Sequence, residues 1–570
     1  MKQKVPDIVG DDNVSKTYET CMIYSKDVTS LPEVAYQIIS PKFDIVTQPV
    51  NVQSLQNLVL YAKEHDIPIV PRGNGTSGWG GAIPTRGGLC VALTGMTNIL
   101  YFNEFEQAIT VEAGITWGEL LTFLERLSNM VPVYPSSATA ATVGGFVASG
   151  GLGIGSTRYG NILKHVLGIE AILPNGKIVR LGKLLIDPNN DSLAEDVKEG
   201  NEWLSKELAA AGLGPPDQEE RLFTGTYGTL GIITKVTLRT IPKLQLIPFA
   251  CTFENMDSLV QAGKRIISEI QPYHLRFLAD NYTDKLDIIN LYEDERNKYI
   301  LTGALLNTIF QNEEDLETLK SLIVEERGVL LDDKRSQFYW DERLFTLRIK
   351  RHGPSIVPAE MLVSIDVLPE ILEKTKEELR NSKVAIEGML SNDGKSSVMV
   401  WILDDERKRF SFTIGWYRSF RIAAMAARFG GLPYAVGLWN GRHASKFYGK
   451  EVYENLKEMK ERLDPGQIMN PVKVFGGRVT IGRMSMAFGF LIGFLITLLG
   501  GIVISGIPSI VSLIQSLHPI LPSFLEFPIL LISSLIVGII GLSVTRLMTL
   551  NQALSLGIPV LRILSKIFRK

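Results

Sequence analysis

Apolar residues along this chain recur with two periods, and the switches between them divide it. Residues 52–65 place Leu55, Leu58, Val59 and Ala62 on one face at helical spacing, and residues 67–71 follow as a short apolar strand. Residues 87–93 and 108–113 read as strands, and 116–127 as a helix with Thr116 at its cap. Residues 166–173 and 177–181 flank Pro174, Asn175 and Gly176, and Asn-Gly closes a tight hairpin, so this stretch predicts strand, turn, strand. The acidic stretch 187–220, with Pro215 and Pro216, predicts an exposed helical excursion before a strand over 228–238. From Lys243 the pattern becomes strand–helix–strand: 246–253 with 256–270, then 299–310 with 313–325. Charged amphipathic helices follow at 374–380 and 451–462.

After residue 475 the pattern changes again. Between Met484 and Thr545 the only charged residue is Glu526. Residues 486–507 would make about 33 Å of helix at ~1.5 Å per residue, enough to span a bilayer. Pro508 ends that run, and Pro519, Pro522 and Pro528 separate it from a second, shorter one at 528–545. The reading is a transmembrane hairpin over 484–545. Arg478 and Arg483 precede it, and Arg546, Arg562, Lys566, Arg569 and Lys570 follow it. The positive-inside bias puts both ends, and the body, on the cytoplasmic side. Residues 547–570 read as a basic interfacial helix. Residues 1–30 are polar, with no apolar stretch of the secretory type.

Composition matters only once the chain is split there. The whole carries 59 basic and 61 acidic residues, net −2, but residues 1–475 are net −8 and the rest net +6. A basic nucleic-acid binder is excluded. Three distant cysteines, Cys21, Cys90 and Cys251, exclude a disulfide scaffold, and six scattered histidines make no metal cage, so no metal site is expected.

Three glycine-rich segments carry the candidate chemistry. RGNGTSGWGG, residues 72–81, fits neither the P-loop pattern nor GxGxxG. Its glycines let backbone N–H groups turn toward an anion, although a plain turn-rich loop has the same composition. Residues 134–160, YPSSATAATVGGFVASGGLGIGSTRYG, are dominated by small side chains, as where a large flat ligand lies close to backbone. The third is GTYGTLGIITK, residues 225–235. Three such segments suit an extended dinucleotide.

These segments resemble, in order, the motifs of the FAD-linked oxidases of the vanillyl-alcohol-oxidase or PCMH type: PRGNGTS at 71–77, ATVGG at 141–145 with Tyr159 and Gly160, GIEAILPNG at 168–176, GTLGII at 228–233 and LDPGQIMNPVK at 463–473. The resemblance implies an α+β fold: a two-subdomain FAD-binding domain over 1–242, an α/β substrate-binding cap over 243–427, and a segment, 428–475, that returns to the FAD domain. It implies FAD held by Pro71, Arg72, Gly73, Asn74, Gly75, Thr76 and Ser77 at the pyrophosphate. Pro135, Ser136, Thr142, Gly144, Gly145, Ser149, Ser156, Tyr159, Gly231, Ile232, Ile233 and Asn470 are implied around the rest of the cofactor. Many relatives attach FAD through a histidine at the position that is Thr76 here, so non-covalent FAD is expected.

The subgroup it most resembles is the D-lactate and glycolate dehydrogenases, through YSKD at 24–27 and WDER at 340–343. Those relatives carry a GHxGDGNxH-like segment. Here the stretch is GMLSNDGKSS, residues 388–397, without either histidine, and Tyr227 replaces the acid of their GSEGTLG. Hydroxyl oxidation needs a base and often a cation for a carboxylate. His443 and Tyr417 are the candidate bases named with Arg343 and Arg418 as clamps; His352 and Tyr434, and Arg348, Arg351 and Arg442, stand behind them. A membrane tether points to a quinone as electron acceptor. A lipid substrate, as in alkylglycerone-phosphate synthases or C=C reductases of this fold, and a non-catalytic flavin-fold subunit remain open alternatives.

Overall fold

A computed structural model of the chain describes residues 4–31, 42–186, 192–212, 222–283, 295–307 and 312–476. The first sheet runs in the order Val14–Ser15, Ile45–Thr47, Leu89–Ala92, Ile69–Arg72. Its last three strands are parallel. Parallel strands need crossovers, and helix Val52–Glu64 supplies the first. The Asn51 side chain accepts the Ser54 N–H at 2.8 Å to cap it, and the face bearing Leu55, Leu58, Val59 and Ala62 is buried.

The second sheet is antiparallel, in the order Ile99–Asn103, Ala108–Glu112, Ile232–Arg239, Val166–Ile172, Ile178–Gly182. The hairpin turns at Asn175-Gly176, where Gly176 has φ +84°. Helix Trp117–Arg126 opens with a reciprocal cap: Thr116 Oγ1 accepts the Glu119 N–H at 3.2 Å, and Glu119 accepts the Thr116 N–H at 3.0 Å. Both sheets share one apolar core, from Ile45 and Leu55 to Trp117 and Ile169.

Eight strands between Leu246 and Pro433 make the third sheet, and every pair in it is antiparallel. This corrects the α/β reading of the cap. Strands Leu246–Phe253 and His274–Leu278, joined by helix Met256–Arg265, do not pair; Tyr299–Leu306 lies between them, antiparallel to both. A split strand–helix–strand unit has the same sequence rhythm as a parallel one, so periodicity does not separate the two. Helix Arg409–Arg428, which no periodic signal announced, packs on strand Ser355–Ser364.

The chain then comes back. Ile69 donates its N–H to the Ile468 carbonyl at 2.8 Å, and Asn470 donates to the Ile69 carbonyl at 2.7 Å. A buried ion pair between Lys460 and Asp464 sets that turn. Lys460 also donates to the Thr229 and Met469 carbonyls at 2.8 and 2.7 Å, and Asp464 accepts the Ile468 and Met469 N–H groups at 3.0 and 2.9 Å. The expected hairpin at 484–545 and the helix at 547–570 lie outside the described residues. Among the described residues no helix is long and apolar enough to cross a membrane.

Asp464→Ala would leave the Lys460 ammonium buried without its counter-charge. The expected loss is about 3 kcal/mol of unfolding free energy, the cost of breaking such a pair from one side. Urea unfolding of variant and parent checks it; equal midpoints would show that the pair is dispensable.

Candidate active site

Strand Ile69–Arg72 ends in the glycine-rich loop, which forms one wall of a cleft of about 1520 Å³, open mouth included. Among the described residues, no backbone N–H from Gly73 to Gly78 donates to a protein group. The loop carbonyls, by contrast, are tied down. Gly75 O accepts the Val28 N–H at 3.1 Å, Gly78 O accepts Thr29 Oγ1 at 3.0 Å, Gly81 O accepts Asn470 Nδ2 at 2.9 Å, and Ile83 O accepts Lys473 Nζ. Ser77 Oγ and Arg72 Nη1 are buried without a partner. A row of free amides beside an unpaired hydroxyl and an unpaired guanidinium N–H fits a pyrophosphate. Side chains would spoil the cradle: a Cβ on Gly73 would stand 2.1 Å from Thr142 Oγ1, and one on Gly75, at φ +65°, 2.2 Å from the Arg72 guanidinium.

Buried charges behind the loop hold it. Asp27 accepts the Thr29 and Gly80 N–H groups at 2.9 and 2.8 Å. Burial raises its carboxyl to about 7, opposed by those bonds and by Arg72 and Lys473. Burial lowers Lys473 to about 7, with Asp27 opposing. Cys90 and Cys21 lie buried beneath, in a small apolar cluster with Phe43, and burial pushes the Cys90 thiol up to about 12.

Of the residues assigned to the cofactor, Pro71, Arg72, Gly73, Asn74, Gly75, Thr76, Ser77, Pro135, Ser136, Thr142, Gly144, Gly145, Ser149, Gly231 and Ile233 line the cleft. Four do not. Ser156 is buried and accepts the Gly153 N–H at 2.9 Å; Tyr159 packs edge-on to His165 and Tyr273. Ile232 points into the core, because strand neighbours alternate faces and Ile233 takes the cleft side. Asn470 acts from behind, donating to the Gly81 and Tyr227 carbonyls. No histidine or cysteine is among the residues lining the cleft.

One face of the cap sheet roofs a second chamber of about 590 Å³, open mouth included. The two spaces share Ser136, Leu152, Thr346, Glu360, Met399 and Tyr434. Strand register builds the roof: Glu360 and Glu387 both pair with Met399, and Arg276 with Met389. Arg343 lies at the chamber wall, 4.0 Å over the Trp340 ring. It donates to the Trp340 carbonyl at 2.7 Å, while its Nε is buried without a partner. His274 is held down to about 3 by burial, Arg276 and Arg343, and its Nδ1 also lacks a partner. Arg276 forms a buried ion pair with Glu387, whose other oxygen accepts the Trp401 indole N–H at 2.8 Å.

Tyr434, a candidate base from the sequence, lines both spaces; the remaining candidates lie elsewhere. His443 accepts from Arg442 Nε at 2.8 Å and is lowered to about 4 by burial and two cations; it lines neither space. Tyr417 and Arg418, on helix Arg409–Arg428, are bonded to Arg421 and Ser382 and also line neither. Neighbours in sequence do not report which way a helix faces. Sequence reasoning gives His274 no clear partner and singles out none of Arg276, Glu360 and Glu387. Their signal was a charged or polar residue at alternate positions inside apolar strands, as in HLRFL and KVAIEGML.

The cradle, the long cleft and the roofed chamber define a flavin-dinucleotide enzyme with a substrate cap. Comparison with known proteins agrees. An FAD binding domain model matches residues 43–182, and the C-terminal domain model of FAD linked oxidases matches 249–474. Glycolate oxidase subunit GlcD of Bacillus subtilis is 25% identical over 497 residues, covering 83% of this chain and 96% of its own. Probable mitochondrial D-lactate dehydrogenase of Danio rerio is 27% identical over 454 residues, covering 76% and 84%. Among solved structures, p-cresol methylhydroxylase shares the fold with TM-score 0.66 at 18% identity, over 82% of this chain and 95% of that one. Alkyldihydroxyacetonephosphate synthase shares it at TM-score 0.61 and 16%, over 81% and 83%. The chain belongs to the FAD-linked oxidases: it is an FAD-dependent oxidoreductase related to the D-lactate and glycolate dehydrogenases.

With no histidine or cysteine at the cleft wall among the described residues, acid precipitation is expected to leave all flavin in the supernatant; flavin fluorescence in the protein pellet would overturn this. Gly75→Ala forces a Cβ into a left-handed position, at ~1–2 kcal/mol. FAD affinity, measured by reconstituting the apoprotein, is expected to fall by about tenfold.

Proposed function

We propose that this protein oxidises a small 2-hydroxy acid of the D-lactate or glycolate kind and passes the electrons to a membrane quinone. The observation that carries the substrate class is Arg343. Its guanidinium is fixed by Trp340, keeps a buried N–H free, and borders the chamber that opens on the flavin cleft. Arg276 is spent on Glu387, so Arg343 is the chamber's available cation for a carboxylate. The names of the relatives, glycolate oxidase and D-lactate dehydrogenase, lie in the same class. FAD, when bound, supplies the hydride acceptor. The protein's part is to hold the acid with its reacting carbon toward the cleft and to keep water out under a roof of Met389, Met399 and Trp401. Met389 and Ser397 face the chamber within the stretch where relatives carry two histidines, so charge on Arg343, rather than metal ligation, is the means of holding the acid.

The apolar runs at 486–507 and 528–545 support the acceptor: a tether at the C-terminus would keep the flavin body at the cytoplasmic face, beside quinone in the bilayer.

Anaerobic mixing with D-lactate, glycolate or D-2-hydroxyglutarate is expected to bleach the flavin, and a soluble quinone to restore it. A flavin untouched by all three acids would end the hydroxy-acid reading. Arg343→Lys, which loses the planar fork, is expected to raise KM about 10- to 100-fold, the worth of a charge-assisted hydrogen bond. In cells the full chain should sediment with membranes and a chain ending at residue 476 should not. Equal sedimentation of the two would remove the tether.

A further inference from the structure

We propose that Glu360 is the base that takes the proton from the substrate hydroxyl. The proposal rests on the 2-hydroxy-acid reading above and assigns the step which that reading leaves without a residue. Among the described residues Glu360 is the one carboxylate that lines both the flavin cleft and the chamber, so it stands beside the place where the reacting carbon must sit. It is 7% exposed and, among the described residues, makes no ion pair. The Trp79 side chain, from the flavin-binding loop, lies against its carboxyl and favours the charged form.

The neighbours are committed elsewhere. Tyr434 donates its hydroxyl to the Leu152 carbonyl at 2.8 Å and accepts the Leu152 N–H at 2.9 Å, so its oxygen is occupied in both senses. His274 stands beside two arginines that disfavour an added proton. Glu387 is engaged by Arg276 and Trp401. The chamber thus holds two carboxylates in opposite environments, one paired with a guanidinium and one walled by apolar and aromatic groups. Such separated pairs divide structural and proton-transfer roles. The groups facing Glu360 are Glu387 with its partner Arg276, Arg343, His274, Tyr434, Tyr227 and Trp79. Burial, then the Glu387 charge, raises Glu360 well above the usual carboxylate range, with the Trp79 side chain opposing.

The step balances as follows. The Cα–H bond breaks and its electron pair leaves as hydride to FAD. The O–H bond breaks and its proton goes to the Glu360 carboxylate. The carbon–oxygen bond becomes double, giving the 2-oxo acid, reduced flavin and protonated Glu360. Since the ionised form accepts the proton, the rate of flavin reduction rises with pH through the Glu360 ionisation.

The test uses the full chain with FAD in detergent, and whichever of the three acids bleaches it fastest. Glu360→Gln is expected to keep FAD and to slow flavin reduction at least ~100-fold, the low end for a lost general base. The pH dependence should vanish with it. Oxalate, an anion with no hydrogen to give, supplies a readout apart from turnover. Its binding, followed by the flavin spectrum, should weaken with rising pH in the parent, as Glu360 becomes charged, and stay flat in Glu360→Gln. Glu360→Asp withdraws the carboxylate by one methylene and should keep part of the rate with a displaced pH profile; it decides the matter if the Gln variant does not fold. A Gln or Asp variant with the parent's rate and profile overturns the assignment and leaves the hydroxy-acid reading standing. A parent that no hydroxy acid bleaches overturns both.

Discussion

A loop that offers its amides to an anion cannot be held in place by those amides. Most protein loops are fastened by spending backbone N–H groups inside the fold. Here, among the described residues, the N–H groups of Gly73 to Gly78 meet no protein acceptor, so the loop is fastened by its other side. The carbonyls of Gly75, Gly78, Gly81 and Ile83 each accept from a group beyond the loop, and Asp27 takes the Gly80 N–H just past the cradle. The anchors come from both extremes of the described chain: Asp27, Val28 and Thr29 before the first domain's sheet is complete, Asn470 and Lys473 after the cap. This constraint explains why the chain returns after the cap. Without Ile468–Lys473 the cradle would lose two of its carbonyl anchors, those on Gly81 and Ile83, and the edge bond to Ile69.

The same demand explains the buried charges. Asp27 and Lys473 are each driven toward neutrality by burial, and each opposes that drift in the other. Carrying such groups in a core costs stability unless they are bonded. They are bonded here to backbone that would otherwise hold no fixed course, and Lys460 with Asp464 does the same one turn earlier. In this half of the molecule, buried ionic groups shape loops that the cofactor needs.

Legibility in the sequence followed how local each cause was. The Thr116 cap, the Asn175-Gly176 turn and the helix over Leu55 to Ala62 depend on a few adjacent residues, and each was readable. The cradle was readable because five glycines in ten residues have few other uses. Two kinds of information were absent. Strand order in the cap is set by pairing across tens of residues, so a split unit passed for a parallel one. Facing was absent too. Ile232 and Ile233 are alike in composition and only one meets the cleft, while His443, Tyr417 and Arg418 have suggestive neighbours in sequence and line neither space. Conversely, Glu360, Glu387 and Arg276 lie 27 or more residues apart, and only register brings them onto one face around Met389 and Met399.

That register sets the electrostatic problem of the chamber. Glu360 and Glu387 flank Met399 across three strands, about 10 Å apart at ~4.8 Å per strand spacing. Arg276 answers Glu387, which leaves Arg343 and Glu360 as the other two residues of opposite charge type lining the space. An anion drawn to Arg343 meets the least repulsion while Glu360 is neutral, yet the hydroxyl proton can be accepted only when Glu360 is charged. Binding and proton removal therefore favour opposite states of one carboxylate. A carboxyl at its ordinary value would be charged at neutral pH and would repel the acid; burial raises this one, so anion binding is favoured below its ionisation and proton removal above it. On the proposed reading, the apolar roof of Met389, Met399 and Trp401 serves both steps: by denying Glu360 a solvated charge, it favours the neutral carboxyl that an incoming anion meets and makes the charged form a stronger base.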